Sequence, residues 1–339
     1  MTRFRTLVAL AAMLALTLAF AACGGGGSDD PQTVVDEATL QGVESAEMEM
    51  ALGIDVKGSE GGHLDVSLSG PFQSEDEAEL PEFDLAATAK GDIGGEKVDF
   101  DGGLTLLGDK AYVAYEKVEY EVDPSTFSFV RSLLKRQAGI EGKSGEVTAC
   151  QEAATEVKLS NFVENLKDGG SADVGGTDTT KVSGDLDVGG AIGAAIELSE
   201  DPACSEQLQA ADSLPSVAQL EKAQGEVEQA VESAHVDLYV GDDHIVRRIS
   251  AQATIEPPKK GSGGGAKSVD LEFDLTLTGV NEEQAIAAPS SSKPLSALFV
   301  KLGINPLELL GLLQRQGEGL QGPGGIEELL KGIGSGGFQ

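Results

Sequence analysis

The sequence predicts an α+β fold, one curved antiparallel β-sheet whose apolar face is covered by α-helices. Three observations carry that reading. Apolar residues alternate with polar or small ones in segment after segment from Met48 to Leu106, the period of a half-buried strand. Strand patterns return between Thr179 and Leu277. Between the two sets, Phe127, Val130, Leu133 and Leu134 follow Pro124-Ser125 at helical spacing.

The chain opens Met-Thr-Arg-Phe-Arg and continues as an almost unbroken Leu/Ala/Val run to residue 22. This is a basic segment followed by an apolar one of signal-peptide length, too short and wrongly flanked to span a bilayer. The run ends Phe20-Ala21-Ala22-Cys23, which resembles the lipobox of bacterial lipoproteins, with Phe20 where Leu is commoner. That resemblance implies removal of residues 1–22 and a diacylglyceryl group on the Cys23 thiol, hence an anchor on the extracytoplasmic face of the cell membrane. Two acyl chains hold a protein stably where one does so only marginally. The alternative is a plain secretory cleavage nearby, leaving Cys23 as a thiol. Gly24 to Asp30 has the composition of a flexible polar tether, which favours acylation; the tether is taken as residues 23–32.

Removing residues 1–22 takes away Arg3 and Arg5 and no acid, leaving 22 basic against 57 acidic residues, a net charge of −35. Such a surface keeps the body soluble and argues against nucleic acid and bare anionic lipid surfaces as partners. No Asp-x-Asp-x-Asp-Gly calcium loop is present; Asp99-Phe-Asp101-Gly and Asp185-Leu-Asp187 are too short to serve, and no metal site is expected. With Cys23 assigned to lipid, Cys150 and Cys204 form an even pair in an oxidising compartment, for which a disulfide is the default. A shared metal would need further ligands, and His63, His235 and His244 are distant in sequence.

The domain is read as residues 33–288, with no linker long enough to divide it. Thr33 to Ser45 reads as a short helix. Met48, Met50, Leu52, Ile54 and Val56 mark the first strand; Leu64, Val66 and Leu68, then Phe83, Leu85 and Ala87, then Val98 and Phe100, then Leu104 and Leu106 mark the next. Tyr112 to Val122 is a strand or a pair. After the Phe127 helix a second helix is expected over Leu159–Leu166. Strands are read at Thr179–Val188, His235–Val240, His244–Ile255 and Val269–Leu277, where Asp270, Glu272 and Asp274 face away from Leu271, Phe273 and Leu275. Such a sheet is wet on one face and dry on the other. Ser205–Ser233 reads as exposed helix broken at Pro215, and Lys260–Ala266 as a hairpin loop.

Residues 289–339 are set apart as a leucine- and glycine-rich tail. Gly303, Pro306, Gly311 and Pro323 interrupt it, so it cannot cross a bilayer as one helix. Two readings stand: an irregular tail with short amphipathic helices, or a helix pair docking on a membrane or an envelope protein through Leu298, Phe299, Leu302, Leu309, Leu310 and Leu313.

Catalytic motifs do not assemble. "GSGGGAKS" (261–268) has Ala266 where a phosphate loop requires Gly, and it precedes a strand pattern. "GKSGE" (142–146) lacks the register of a nucleophile elbow. His244 beside Asp242 and Asp243 reads as a solvated turn residue, and Arg247-Arg248 as strand charges paired with acids. No enzyme activity and no cofactor is expected.

A curved sheet must cover its apolar face, and helices standing off from it leave a cavity that acyl chains can fill. The residues placed to line it are Met48, Met50, Leu52, Ile54, Leu64, Val66, Leu68, Phe83, Leu85, Phe100, Phe127, Val130, Leu134, Leu271, Phe273 and Leu275. The unbranched thioethers of Met48 and Met50 adapt to irregular ligands. The other reading makes each of these side chains ordinary core.

The order of segments, with "DPSTFSFVRSLLKRQAG" (123–139), "NFVENLKDGG" (161–170), "VGGTDTTKVSGDLDV" (174–188) and "HIVRRISAQATI" (244–255), resembles the LppX/LprAFG lipoproteins of mycobacterial envelopes, similar in architecture to the carrier LolA. The resemblance spans about residues 33–288. It implies a half-barrel capped by helices whose apolar cavity carries lipids or acylated glycolipids between envelope layers. The Cys150–Cys204 region and the tail depart from that pattern. Two functions are therefore expected: a tethered lipid carrier, or an envelope sensing or interaction module with a filled core.

Overall fold

The computed structural model describes residues 30–58, 61–74, 80–93, 95–137, 159–202, 204, 224–225, 227, 229–256 and 266–303. Cys23, the signal segment, Cys150, "GKSGE", most of Ser205–Ser233, the 257–265 loop and the tail beyond Gly303 lie outside them.

Helix α1 (Pro31–Glu37) begins at Asp30, whose carboxylate accepts from the Gln32 N–H at 3.3 Å, with Pro at the first turn. It is shorter than the Thr33–Ser45 expected. The chain then bridges from Thr39 to Ile245 and enters β1 (Ser45–Gly58), β2 (Gly62–Gln73), β3 (Glu82–Ile93), β4 (Glu96–Leu107), β5 (Lys110–Tyr115) and β6 (Val118–Glu121). Gly102-Gly103 is not a turn between two strands, as alternation alone suggests; β4 runs straight through it. A Cβ on Gly102 would lie 2.7 Å from the Phe100 ring and 2.9 Å from the Ala114 carbonyl oxygen, so glycine lets neighbouring strands and ring close over that position. The β5–β6 turn has Glu116 and Lys117 at φ 50° and 64°, the left-handed pair of a tight hairpin.

Helix α2 (Pro124–Gln137) follows, then a short 3-10 turn at Leu159–Asn161, β7 (Val163–Val174), β8 (Thr177–Leu186), α3 (Val188–Glu200), β9 (Val231–Gly241), β10 (Val246–Ile255), β11 (Ala266–Thr278), the two-residue β12 (Lys293–Pro294) and α4 (Leu295–Leu302). The helix expected over Leu159–Leu166 is therefore corrected to strand. Its Phe162 and Leu166 spacing imitates a helix because β7 is irregular. The β7–β8 register shifts twice, and Asn165 and Gly170 have positive φ. The helix that the sequence reading missed is α3. Asp187 caps it, accepting from the Gly190 N–H at 2.8 Å, and Val188, Ile192 and Ile196 bury one stripe.

The twelve strands form one open, curved sheet in the order β12-β6-β5-β4-β3-β2-β1-β11-β10-β9-β8-β7. All neighbours are antiparallel except β12 on β6. The fold class is as the sequence predicts. The largest core lies where α1 and α3 cover β7–β10, around Val35, Ile192, Val182, Val236, Leu238 and Ile249. A second forms at one end of the β1–β11 pair, where Ala230 packs on Ile54, Val56, Ile255 and Val269. A third is small, where Phe127 of α2 meets Leu106 and Ala111.

After β11 the chain straps back. Asn281 Oδ1 accepts from the Glu44 N–H at 2.8 Å, the Gln284 N–H donates to Gln73 Oε1 at 2.9 Å, and Lys293 pairs with Tyr120 on β6. The residues set apart as a tail thus begin on the sheet edge. Leu298 of α4 is buried, so it is not available for docking elsewhere.

Candidate lipid-binding face

Directly opposed residues in antiparallel strands share a face, so the register writes out the surface. One row runs Leu275, Met50, Leu68, Ala87, Gly102, Tyr115 across β11, β1, β2, β3, β4 and β5. The next runs Phe273, Leu52, Val66, Ala89, Phe100, and a third Leu271, Ile54, Leu64, Gly91, Val98. On the other side Leu85 stands against Leu104 and Val113. At about 4.8 Å per strand, the six-strand row is about 24 Å wide.

The residues expected on this face are on it, with different burial. Ile54 at 3% exposure and Phe127 at 6% are core. Leu52, Leu64 and Leu271 pack beside Ile54, Phe83 beside Phe127, and Phe273 and Leu275 beside the α1–α3 core. Met48, Met50, Val66, Leu68 and Leu85 are only half-buried, and Phe100 is 43% exposed. The side chains of Val130 and Leu134, in α2, lie outside the described residues. Sequence reasoning did not single out Leu104, 44% exposed, or Val98, 37% exposed. The signal for Leu104 was its alternation with Leu106, discounted because Gly102-Gly103 read as a turn.

Among the described residues, the helices cover both ends of this face and leave its middle open. At the centre β3 contributes only Ala87, Ala89 and Gly91, and Gly102 stands beside Ala87. Small side chains there make a shallow trough between Met50, Val66 and Leu68 on one flank and Phe100 and Tyr115 on the other. The Phe100 and Tyr115 rings stand 6.5 Å apart and tilted by 47°, a packed pair within the range of favourable aromatic contact.

The opposite face is polar. Arg248 donates to Asp274 at 2.6 and 3.0 Å, Lys181 pairs with Asp237 at 2.9 Å, and Lys57 with Asp270. Tyr239 lies between Lys181 and Arg248, each about 5.5 Å or less from its ring centre. Burial pushes the Asp237 carboxyl up, but the Ser183 and Lys181 hydrogen bonds outweigh it and hold it below the usual range. Arg247 is buried rather than a surface charge, donating to Asp243 at 2.7 Å and to the Ile245 carbonyl at 3.2 Å. His244, in the β9–β10 turn, stands 3.4 Å from Glu37 of α1. Among the described residues no group of three or more His, Cys, Asp or Glu is placed to hold a metal ion, and no helix is long and apolar enough to cross a membrane. Cys204 is wholly buried and its sulfur is engaged.

No family model and no curated protein matches the chain. Among solved structures the fold is similar to LprF from Mycobacterium bovis, with 12% identity and a TM-score of 0.36 over 79% of this chain and 100% of that one. It is also similar to the lipoprotein LppX from Mycobacterium tuberculosis, with 13% identity and a TM-score of 0.30 over 73% and 91%. A third is the MucA/MucB complex of Pseudomonas aeruginosa, with 9% identity and a TM-score of 0.23 over 77% and 61%. The first two bear names from the group that the sequence resembles. These are likenesses of chain path; function is argued from the residues of this chain.

Proposed function

We propose that the protein is a membrane-tethered, extracytoplasmic lipid-binding lipoprotein without catalytic activity, which shields acyl chains of a lipid or glycolipid on the apolar face of its sheet during transfer across the envelope. The observation that carries this reading is the trough over Ala87, Ala89 and Gly91, flanked by half-buried Met50 and Leu68 and by Phe100 at 43% exposure. Soluble proteins seldom leave so large a contiguous apolar surface without an occupant. An extended acyl chain is thin, apolar and without hydrogen-bonding demands, so small side chains along β3 suit it. Diacylation of Cys23 supplies the tether, and a Cys150–Cys204 bridge, whose second sulfur is buried, supplies a staple suited to an oxidising compartment. The alternative is a sensing or interaction module that seats a protein segment on the same face.

Native mass spectrometry with lipid extraction tests the reading, on the chain from Gly24 onward. A stoichiometric acylated ligand is expected, lost in Ala89→Phe, which fills the trough, and in Met50→Glu, which charges its wall. A clean apo mass, with added lipids failing to bind, would overturn it.

A further inference from the structure

We infer that α2 and α4 form an acid-free, basic end of the molecule that docks on an anionic phospholipid surface beside the open trough. The inference rests on the lipid-binding reading in one respect, that docking brings the trough to its cargo. The sequence of α2 carries Arg131, Lys135 and Arg136, and the β12–α4 segment carries Lys293 and Lys301. These 24 residues hold five bases and no acid, in a chain of 339 residues with 57 acids. Net charge argued against such a partner; the fold gathers a local exception to it.

Both helices sit at the same edge. Helix α2 packs through Phe127 on Leu106 and Ala111 of β4 and β5. On α4, Lys301 lies 5.0 Å from the Tyr115 ring and 2.5 Å from Glu116, and Tyr115 meets Phe100 at the trough wall. Each helix also buries one apolar residue and exposes another two positions on. Phe127 and Leu298 are buried, while Phe129 is 42% and Val300 82% exposed. Exposed apolar residues among bases are what an interfacial helix presents to headgroups and acyl chains. The acids nearby are engaged, Glu116 with Lys301, Glu121 with Ser292 and Asp123 with Ser125 and Thr126. The polar face of the sheet, with Asp55, Asp65, Asp92, Asp99 and Asp101 exposed, is repelled by the same surface, so the two charge signs orient the molecule.

Vesicle co-sedimentation of the chain from Gly24 onward tests this, comparing vesicles of phosphatidylcholine with vesicles containing phosphatidylglycerol. Binding is expected only to the anionic vesicles. It should vanish at 1 M salt, where screening shortens to about 3 Å, and fall by about a hundredfold or more in Lys135→Glu/Arg136→Glu/Lys293→Glu. The pair Lys293→Glu and Val300→Asp, both at exposed positions, gives a second variant with an expected weaker but clear loss and an unchanged unfolding midpoint. Equal binding to both vesicle types, no binding, or anionic binding unchanged in the variants would overturn the inference, the no-binding case pointing to a protein on that edge. Ala89→Phe keeps vesicle binding while losing extracted lipid; a chain that binds anionic vesicles but never yields lipid sinks the cargo reading alone.

Discussion

Asp123 decides how α2 starts. Its carboxylate accepts from the Ser125 hydroxyl at 2.5 Å, the Thr126 hydroxyl at 2.6 Å and the Thr126 N–H at 3.0 Å, and these bonds hold its pKa at about 2. A carboxyl lowered on folding stabilises the fold above its ordinary pKa of about 4, and that contribution disappears as pH falls through about 2. Asp123→Ala should therefore cost about 1 kcal/mol near neutral pH, with the gap to the parent closing between about pH 4 and pH 2; denaturant unfolding across that range measures it. Glu119 on β6 has the opposite sign. Burial first, and the Asp84 charge second, raise its pKa, and one carboxylate oxygen is buried without a hydrogen-bond partner. Ionising it opposes folding, so the stability present with the neutral acid is lost as pH rises through the raised value. Glu119→Gln is expected to raise the unfolding midpoint at neutral pH and to give no gain near pH 4, where the parent acid is already protonated.

At the scale of elements, the strands were legible because pleating imposes a period of two on any half-buried strand. Met48 to Val56 and Val269 to Leu277 show that period cleanly and are β1 and β11, antiparallel neighbours. The failures have physical causes. β7 lost its period to two register shifts, and α3, with Gly189, Gly190 and Gly193 in its first half, lacks the propensity of a helix. Tertiary burial of Ile192 and Ile196 stabilises it instead. Cys204 follows α3 directly, and we propose its pairing with Cys150 as the clamp on this region. Cys204→Ser should then lower the unfolding free energy by about 4 kcal/mol under oxidising conditions and by little beside a reduced parent; an unchanged oxidised midpoint and two titratable thiols in the native parent would reject the bridge.

For the molecule as a whole, the candidate site is what remains when helices of limited area meet a sheet of twelve strands. The residues of the face could be read from the sequence, since Met50, Leu52, Val66, Leu68, Leu85 and Leu275 announce their side by alternation. Which of them stay open could not. Ile54 and Met50 are two positions apart on one strand, yet Ile54 lies under Ala230 and Met50 does not share that core. The sequence by itself determined the signal and tether, the excess of acid, the two-faced strands and the absence of any assembled catalytic motif, because each is a matter of local order or composition. Tertiary structure alone decided the strand order, the covering of β7–β10 by α1 and α3, the trough over Ala87 and Ala89, and the meeting of two basic helices at one edge. Those depend on contacts between residues far apart in the chain, and a local period carries no information about what packs on top of it.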